Sequence, residues 1–179
     1  MIQDFQECDM TDLVVNQGKG KRDIVVTAKA SSIEKWRKQV VAGQPETGKE
    51  FAFISDEGSY IPGGEGTAPS PLTYFVSGMA LCLISHITQV ANKKKLDVRN
   101  EKVTATAHFH EEGSVLRGDA EGFCDRFEIN IALESEEDIS EIKQLIRLAH
   151  RLCFAEKAVI GSVLVINTQQ LNGKPLIID

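Results

Sequence analysis

The sequence predicts an α+β fold organised around one long buried helix, with its elements in the order β-β-β-α-β-β-α-β. Three observations carry that prediction. The stretch 67–92, TAPSPLTYFVSGMALCLISHITQVAN, contains no Asp, Glu, Lys or Arg, although 26% of the chain is charged. A helix that is apolar or small on every side is buried on every side. The runs Val103 to His110 and Phe123 to Leu133 alternate apolar and polar residues with period two, the pattern of antiparallel strands with one wet face. Finally, Ile139, Ile142, Leu145, Ile146, Ala149, Leu152 and Cys153 recur at helical spacing.

Taken in order, residues 1–20 are polar, and GlyLysGly at 18–20 marks a turn; they read as an extension that packs only locally. Asp23 to Lys29 (DIVVTAK) is rich in β-branched residues and predicts the first strand. Ile33 to Ala42, with Trp36, Val40 and Val41, predicts a second, and Phe51 to Ile54 a third, with a turn at 43–48 between them. A glycine-rich loop at 62–66 leads into the long helix. Ser70 suits its N-cap and Pro71 its first helical position, where the missing N–H costs nothing. The helix should end near Asn92, where Lys93, Lys94 and Lys95 complement its negative end. After the two alternating strands, Ser135 should cap the next helix, with Glu136, Glu137 and Asp138 in its first turn. Gly161 breaks the chain, and Val163 to Ile166 predicts a last strand.

At 179 residues the chain is expected to form a single domain, 1–179. A net charge of −6 argues against a nucleic-acid partner, which requires a basic face. The apolar helix approaches the length of a membrane span. Ser77, Ser85, His86, Thr88 and Gln89 would be costly in lipid, so a core helix is expected and no membrane partner. The N-terminus, MIQDFQECDM, lacks a basic segment followed by an apolar run; a cytoplasmic, reducing setting is therefore expected. The four cysteines show no CxxC spacing, which speaks against structural zinc. In that setting a disulfide would be transient and catalytic rather than structural.

Cys82 lies in the middle of the apolar helix. It is either a small hydrophobe or a nucleophile, the latter requiring a partner that favours the thiolate. Its best local partner is His86, one turn later and leaning back toward it; the alternative for His86 is a hydrogen-bonded core histidine. Gly78, one turn earlier, would let another chain approach closely. Cys153 completes the apolar stripe of the second helix, and the two cysteines can meet as attacking and resolving thiols. Cys8 and Cys124 receive no role. His108 and His110 share a strand face at the spacing of a two-histidine metal site, but no third ligand accompanies them, so solvated histidines are expected and no metal.

GGEGTAPSPLTYFVSGMALCLISHITQVANKKKL is similar to the central segment of the OsmC/Ohr family, and RLCFAEKAVIGSVLVIN resembles that family's second-cysteine segment. The resemblance spans roughly Phe51 to Asn167. It implies an OsmC-like fold: an intertwined homodimer with the central helices packed together, antiparallel sheets wrapped around them and active sites at the interface. It further implies a thiol peroxidase acting on organic hydroperoxides. Cys82 would attack the peroxide, Cys153 would resolve the sulfenic acid, and an external dithiol, without any bound cofactor, would reduce the disulfide. The chain departs from the catalytic members at three places. Their Glu after the helix-leading Pro is absent, since Pro71 is followed by Leu72 and Thr73, leaving Glu65 as a stand-in. Their activating Arg is matched only by Arg22 or Arg37. Their Cys-Pro is Cys153-Phe154 here. Two functions follow: a cysteine peroxidase of oxidative-stress defence, or a non-catalytic OsmC-like dimer that binds a small apolar or thiol ligand or responds to redox state.

Overall fold

The computed structural model describes residues 21–161, 163–171 and 174–176. Cys8 and the expected N-terminal extension lie outside the described residues. Contacts divide the chain into two compact units, one ending at Pro71 and the other starting at Leu72.

The N-terminal unit holds an antiparallel sheet of β1 (Thr27–Glu34), β2 (Arg37–Gln44) and β3 (Lys49–Ser55), in that spatial order. Val40 pairs with Ala30 on one side and Phe53 on the other. The strand expected at Asp23 starts only at Thr27 and runs on to Glu34. The strand expected over Ile33 to Ala42 is cut by a reversal at Lys35-Trp36. That turn lacks the usual Asn-Gly signal. Lys35 takes the left-handed conformation itself (φ 47°), Arg37 donates to Glu34 across the turn at 2.9 Å, and the Trp36 indole N–H donates to the Pro62 carbonyl at 2.9 Å. Pro45–Thr47 forms a 3-10 turn closed by Gly48 (φ 62°).

The loop after β3 is clasped at both ends. Asp56, only 2% exposed, accepts from the Thr67 N–H at 2.9 Å and the Thr67 hydroxyl at 2.8 Å. The Ser55 hydroxyl donates to the Pro69 carbonyl at 3.1 Å. A buried carboxylate persists only when hydrogen-bonded, and the two Thr67 bonds hold the Asp56 carboxyl below its ordinary range. Gly64 must lack a side chain, since a Cβ there would sit 2.3 Å from the Gly58 carbonyl oxygen.

The C-terminal unit is built on α1 (Pro71–Lys94), the hairpin β4 (Arg99–Glu112) and β5 (Glu121–Glu134), and α2 (Ile139–Leu152). The alternation read from the sequence holds from Val103 to Ala107 and from Phe127 to Leu133, but a register shift between His108 and Phe109 breaks it and leaves Phe109 36% exposed. Val103 pairs with Ile131 and Ala105 with Ile129, and these side chains pack on the core. That core joins Met79, Leu83, Ile87, Val90 and Ala91 of α1 to Leu145, Ala149 and Cys153. Burying each of the larger ones contributes about 1.5–3 kcal/mol. Within one chain α1 therefore buries one face, while Leu72, Phe75 and Leu81 stay 48%, 49% and 65% exposed. Its C-terminus closes with Lys95 left-handed (φ 58°) and the Leu96 N–H on the Ala91 carbonyl at 3.0 Å. Lys94 ties it to Glu141 of α2 at 2.6 Å.

Ser135 does not cap α2. The helix begins at Ile139 with Asp138 at the N-cap and no side-chain cap bond. The Ser135 hydroxyl instead donates to the Asp97 carbonyl at 2.7 Å and accepts the Glu137 N–H at 3.1 Å, forming a local turn. Ile139 is 72% exposed and Ile142 half-buried, so the buried stripe starts at Leu145, and Leu152 at its far end is 38% exposed. A short helix absent from the expected order, α3 (Phe154–Ile160), follows directly after Cys153. Val163 to Ile166, expected as a strand, has no regular structure and is exposed throughout. Strand propensity without an edge to pair with does not make a strand, and among the described residues this segment pairs with none. The short strands β6 (Gln169–Leu171) and β7 (Lys174–Leu176) pair with each other.

Candidate active site

Helix α1 carries Cys82 on the border between its buried and exposed faces, next to the core residue Leu83. Cys153 forms the joint between α2 and α3. Its N–H closes α2 on the Ala149 carbonyl at 3.0 Å, and its carbonyl accepts the Lys157 N–H of α3 at 3.1 Å. At φ −67° and ψ 106° it leaves the helical conformation for a single residue. Because the apolar stripe of α2 ends on it, its side chain is driven into the core, where it is 0% exposed.

The two thiols belong to one core: Cys82 packs against the cluster that contains Cys153, and both are free thiols. Burial pushes the Cys153 thiol up to about 11, and the neighbouring Cys82 and the Glu156 charge add to the rise, while the Glu156 peptide N–H opposes it. Cys153 is thus a protonated thiol at neutral pH.

His86 does reach back over Cys82, with Nδ1 4.0 Å from the sulfur. The same nitrogen is 2.8 Å from the Cys82 carbonyl oxygen. An Nδ1–H donated to a carbonyl offers no lone pair to a thiol, so this contact braces the imidazole rather than making it a base through that nitrogen. The ring also meets Phe154 edge-on, 5.5 Å between centroids. Phe154 occupies the position after the second cysteine.

One pair escaped the sequence reading. Glu156, 9% exposed, has both carboxylate oxygens against His150 Nδ1, at 2.9 and 3.0 Å. The six-residue separation crosses two helices, and the helix that carries Glu156 was not foreseen, so no periodicity pointed to it.

The remaining sequence candidates fall in both units. In the N-terminal unit, the exposed Glu65 is bound by Lys35. Arg37 donates to Glu34 and lends its charge to Asp56. Arg22 is exposed ahead of β1. In the C-terminal unit, His108 faces Glu128 at 3.3 Å, and His110 pairs with Asp125 at 2.9 Å while stacking on Phe123. Among the described residues no three His, Cys, Asp or Glu side chains are arranged to hold a metal. Cys124 is exposed on β5.

Residues 64–168, more than half of the chain and including both cysteines, match the family model for OsmC-like proteins, and the chain belongs to that family. Solved structures share its fold. An OsmC-like hydroperoxide resistance protein from Jannaschia sp. CCS1 aligns with a TM-score of 0.55 at 23% identity, over 86% of this chain and 97% of that one. An organic hydroperoxide resistance protein from Elizabethkingia anophelis gives 0.56 at 20% identity, over 79% and 91%. An OsmC-like protein from Mycoplasma pneumoniae gives 0.55 at 16%, over 78% and 89%. Among curated proteins none matches significantly.

Proposed function

We propose that the protein is a thiol-dependent peroxidase that reduces organic hydroperoxides, and hydrogen peroxide, in oxidative-stress defence. The observation that carries this reading is the packing of a half-buried Cys82 against the core cluster that holds the fully buried Cys153. The Cys82 thiolate attacks a peroxide oxygen. An S–O bond forms, the O–O bond breaks, and the alcohol leaves with a proton, giving Cys82 sulfenic acid. The Cys153 sulfur then attacks the Cys82 sulfur, water leaves, and the disulfide forms. An external dithiol restores both thiols. The family membership and the hydroperoxide-resistance proteins of the same fold support the assignment. The working form is a homodimer, joined through the face of α1 that one chain leaves exposed, and its setting is the cytoplasm.

A second reading has its own support. Leu72 stands where the family's acid would be, and His86 turns its Nδ1 proton to a carbonyl. On those grounds the protein is a non-catalytic dimer that binds a small apolar or thiol ligand, or a redox-responsive regulator. Stopped-flow oxidation of the reduced protein by an organic hydroperoxide separates the two, followed by mass spectrometry of wild type, Cys82→Ser and Cys153→Ser. The peroxidase predicts fast oxidation that disappears in Cys82→Ser and stops at a trappable sulfenate in Cys153→Ser. Oxidation no faster than that of a free thiol would sink it.

A further inference from the structure

The His150–Glu156 pair has no part in the steps above, yet it spans the joint at which Cys153 sits. His150 lies in the last turn of α2 and Glu156 in the first turn of α3. Glu156 is the one buried carboxylate among the described residues of its unit. Removing a carboxylate from water is costly unless it is paired. Its partner meets both oxygens, at 2.9 and 3.0 Å, and the His150 side chain is itself 38% exposed. The pair therefore runs from the core to solvent.

Cys153 needs such a route. At 0% exposure its thiol is out of reach of bulk water, and a thiol attacks a sulfur only after losing its proton. The titratable groups acting on it are Cys82 from α1 and Glu156 from α3; His86 stands beside Cys82 and His150 against Glu156. His86 commits Nδ1 to the Cys82 carbonyl. Glu156 stands three residues beyond Cys153, in the first turn of the helix that Cys153 opens, and both are buried; side chains at that spacing on a helix are neighbours.

We propose that Glu156 and His150 form a proton relay serving Cys153: as the Cys153 sulfur attacks an oxidised Cys82, its proton passes to the Glu156 carboxylate and through His150 to solvent. The proposal rests on disulfide formation between Cys82 and Cys153, as the peroxidase reading does, but it does not require that a peroxide be the oxidant.

It is tested with an aromatic disulfide, 5,5′-dithiobis(2-nitrobenzoate), on full-length protein carrying Cys8→Ser and Cys124→Ser. The Cys82 thiolate displaces one aryl thiolate and becomes a mixed disulfide. The Cys153 sulfur then attacks Cys82, the S–S bond to the aryl group breaks, a second aryl thiolate departs with the electron pair, and the Cys153 proton leaves by the relay. The second release is the readout. Glu156→Gln keeps the shape and still accepts a hydrogen bond from His150 but takes no proton. It should slow the second release about 100-fold near neutrality and make it climb about tenfold per pH unit, as hydroxide replaces the lost base. The first release should be unchanged. Glu156→Asp should keep the wild-type pH profile. His150→Asn should slow the second release and be rescued by added imidazole. This variant decides the matter should Glu156→Gln fail to fold.

A second release in Glu156→Gln with wild-type rate and pH profile would reduce the pair to a brace between helices and overturn the relay. So would a lack of imidazole rescue in a folded His150→Asn, or a wild-type protein that releases only one thiolate. Because the reagent replaces peroxide, a protein inert to hydroperoxides that still shows the predicted second release would lose the peroxidase reading and keep the relay.

Discussion

Cys153 stores a pH dependence that can be read directly. Its thiol is pushed from the ordinary 9.0 to about 11, chiefly by burial. In the unfolded chain it loses its proton near the ordinary value; in the folded protein it keeps it. The folded state therefore has its full contribution from this group below the unfolded value and loses it as pH rises through the folded one. The loss amounts to at most about 3 kcal/mol. Urea unfolding followed from neutral to alkaline pH should show a steeper fall for wild type than for Cys153→Ala, and parallel curves would contradict the burial argument. Asp56 works in the opposite direction. Its carboxyl is held below the ordinary range by Thr67, so its contribution is present above the unfolded carboxylate value and disappears as pH falls through the folded one. Asp56→Asn should flatten the acid limb of the stability curve and lower Tm at neutral pH, because the loop clasp then rests on a weaker, uncharged acceptor. An unchanged acid limb would mean that Thr67 holds the loop without the charge.

At the scale of elements, α1 shows what composition reveals and what it hides. Its position and length were legible in an uncharged stretch opened by Pro71 and closed by three lysines. Its two faces were not, because Leu81 and Leu83 look alike in sequence while the fold leaves one 65% exposed and the other 0%. Leu83→Ala should therefore cost about 2–5 kcal/mol in chemical unfolding, as an unfilled core site does. Leu81→Ala should stay within about 0.5 kcal/mol, as exposed substitutions do, when measured on the isolated chain. Equal losses would mean that the helix is buried alike on both sides. The sheet strands β4 and β5 were legible because period two maps directly onto a half-wet hairpin. The β1–β2 turn was not, since Lys35 adopts a left-handed conformation that its residue type does not announce. The site divides the same way. Cys82, His86 and Cys153 were visible as residues on helix faces, whereas His150–Glu156 depends on a one-residue break between helices that no spacing rule marks.

For the whole molecule, the proposed homodimer makes the sharpest demand. Leu72, Phe75 and Leu81 stand exposed along α1, and Val163 to Ile166 lies exposed beyond α3. Leu81 stands on the side of α1 opposite the buried Leu83 and Val90, where an exposed apolar side chain is open to a partner. On the same helix, Gly78 has open space where a Cβ would be, and a glycine on a helix face lets a second helix approach closely. A chain of 19.7 kDa should therefore run in light scattering at twice its mass. Leu81→Glu should reduce that to the monomer mass at micromolar concentration, because a carboxylate brought into an apolar seam must be desolvated without a partner. Gly78→Leu should weaken association by steric separation while leaving β4–β5 and α2 packed as before. Since Cys82 borders this face, both variants should also alter its reactivity toward the aromatic disulfide. A wild type that is monomeric at every concentration, with Cys82 as reactive as in Leu81→Glu, would remove the dimer from the proposed mechanism and leave the site to be completed within one chain.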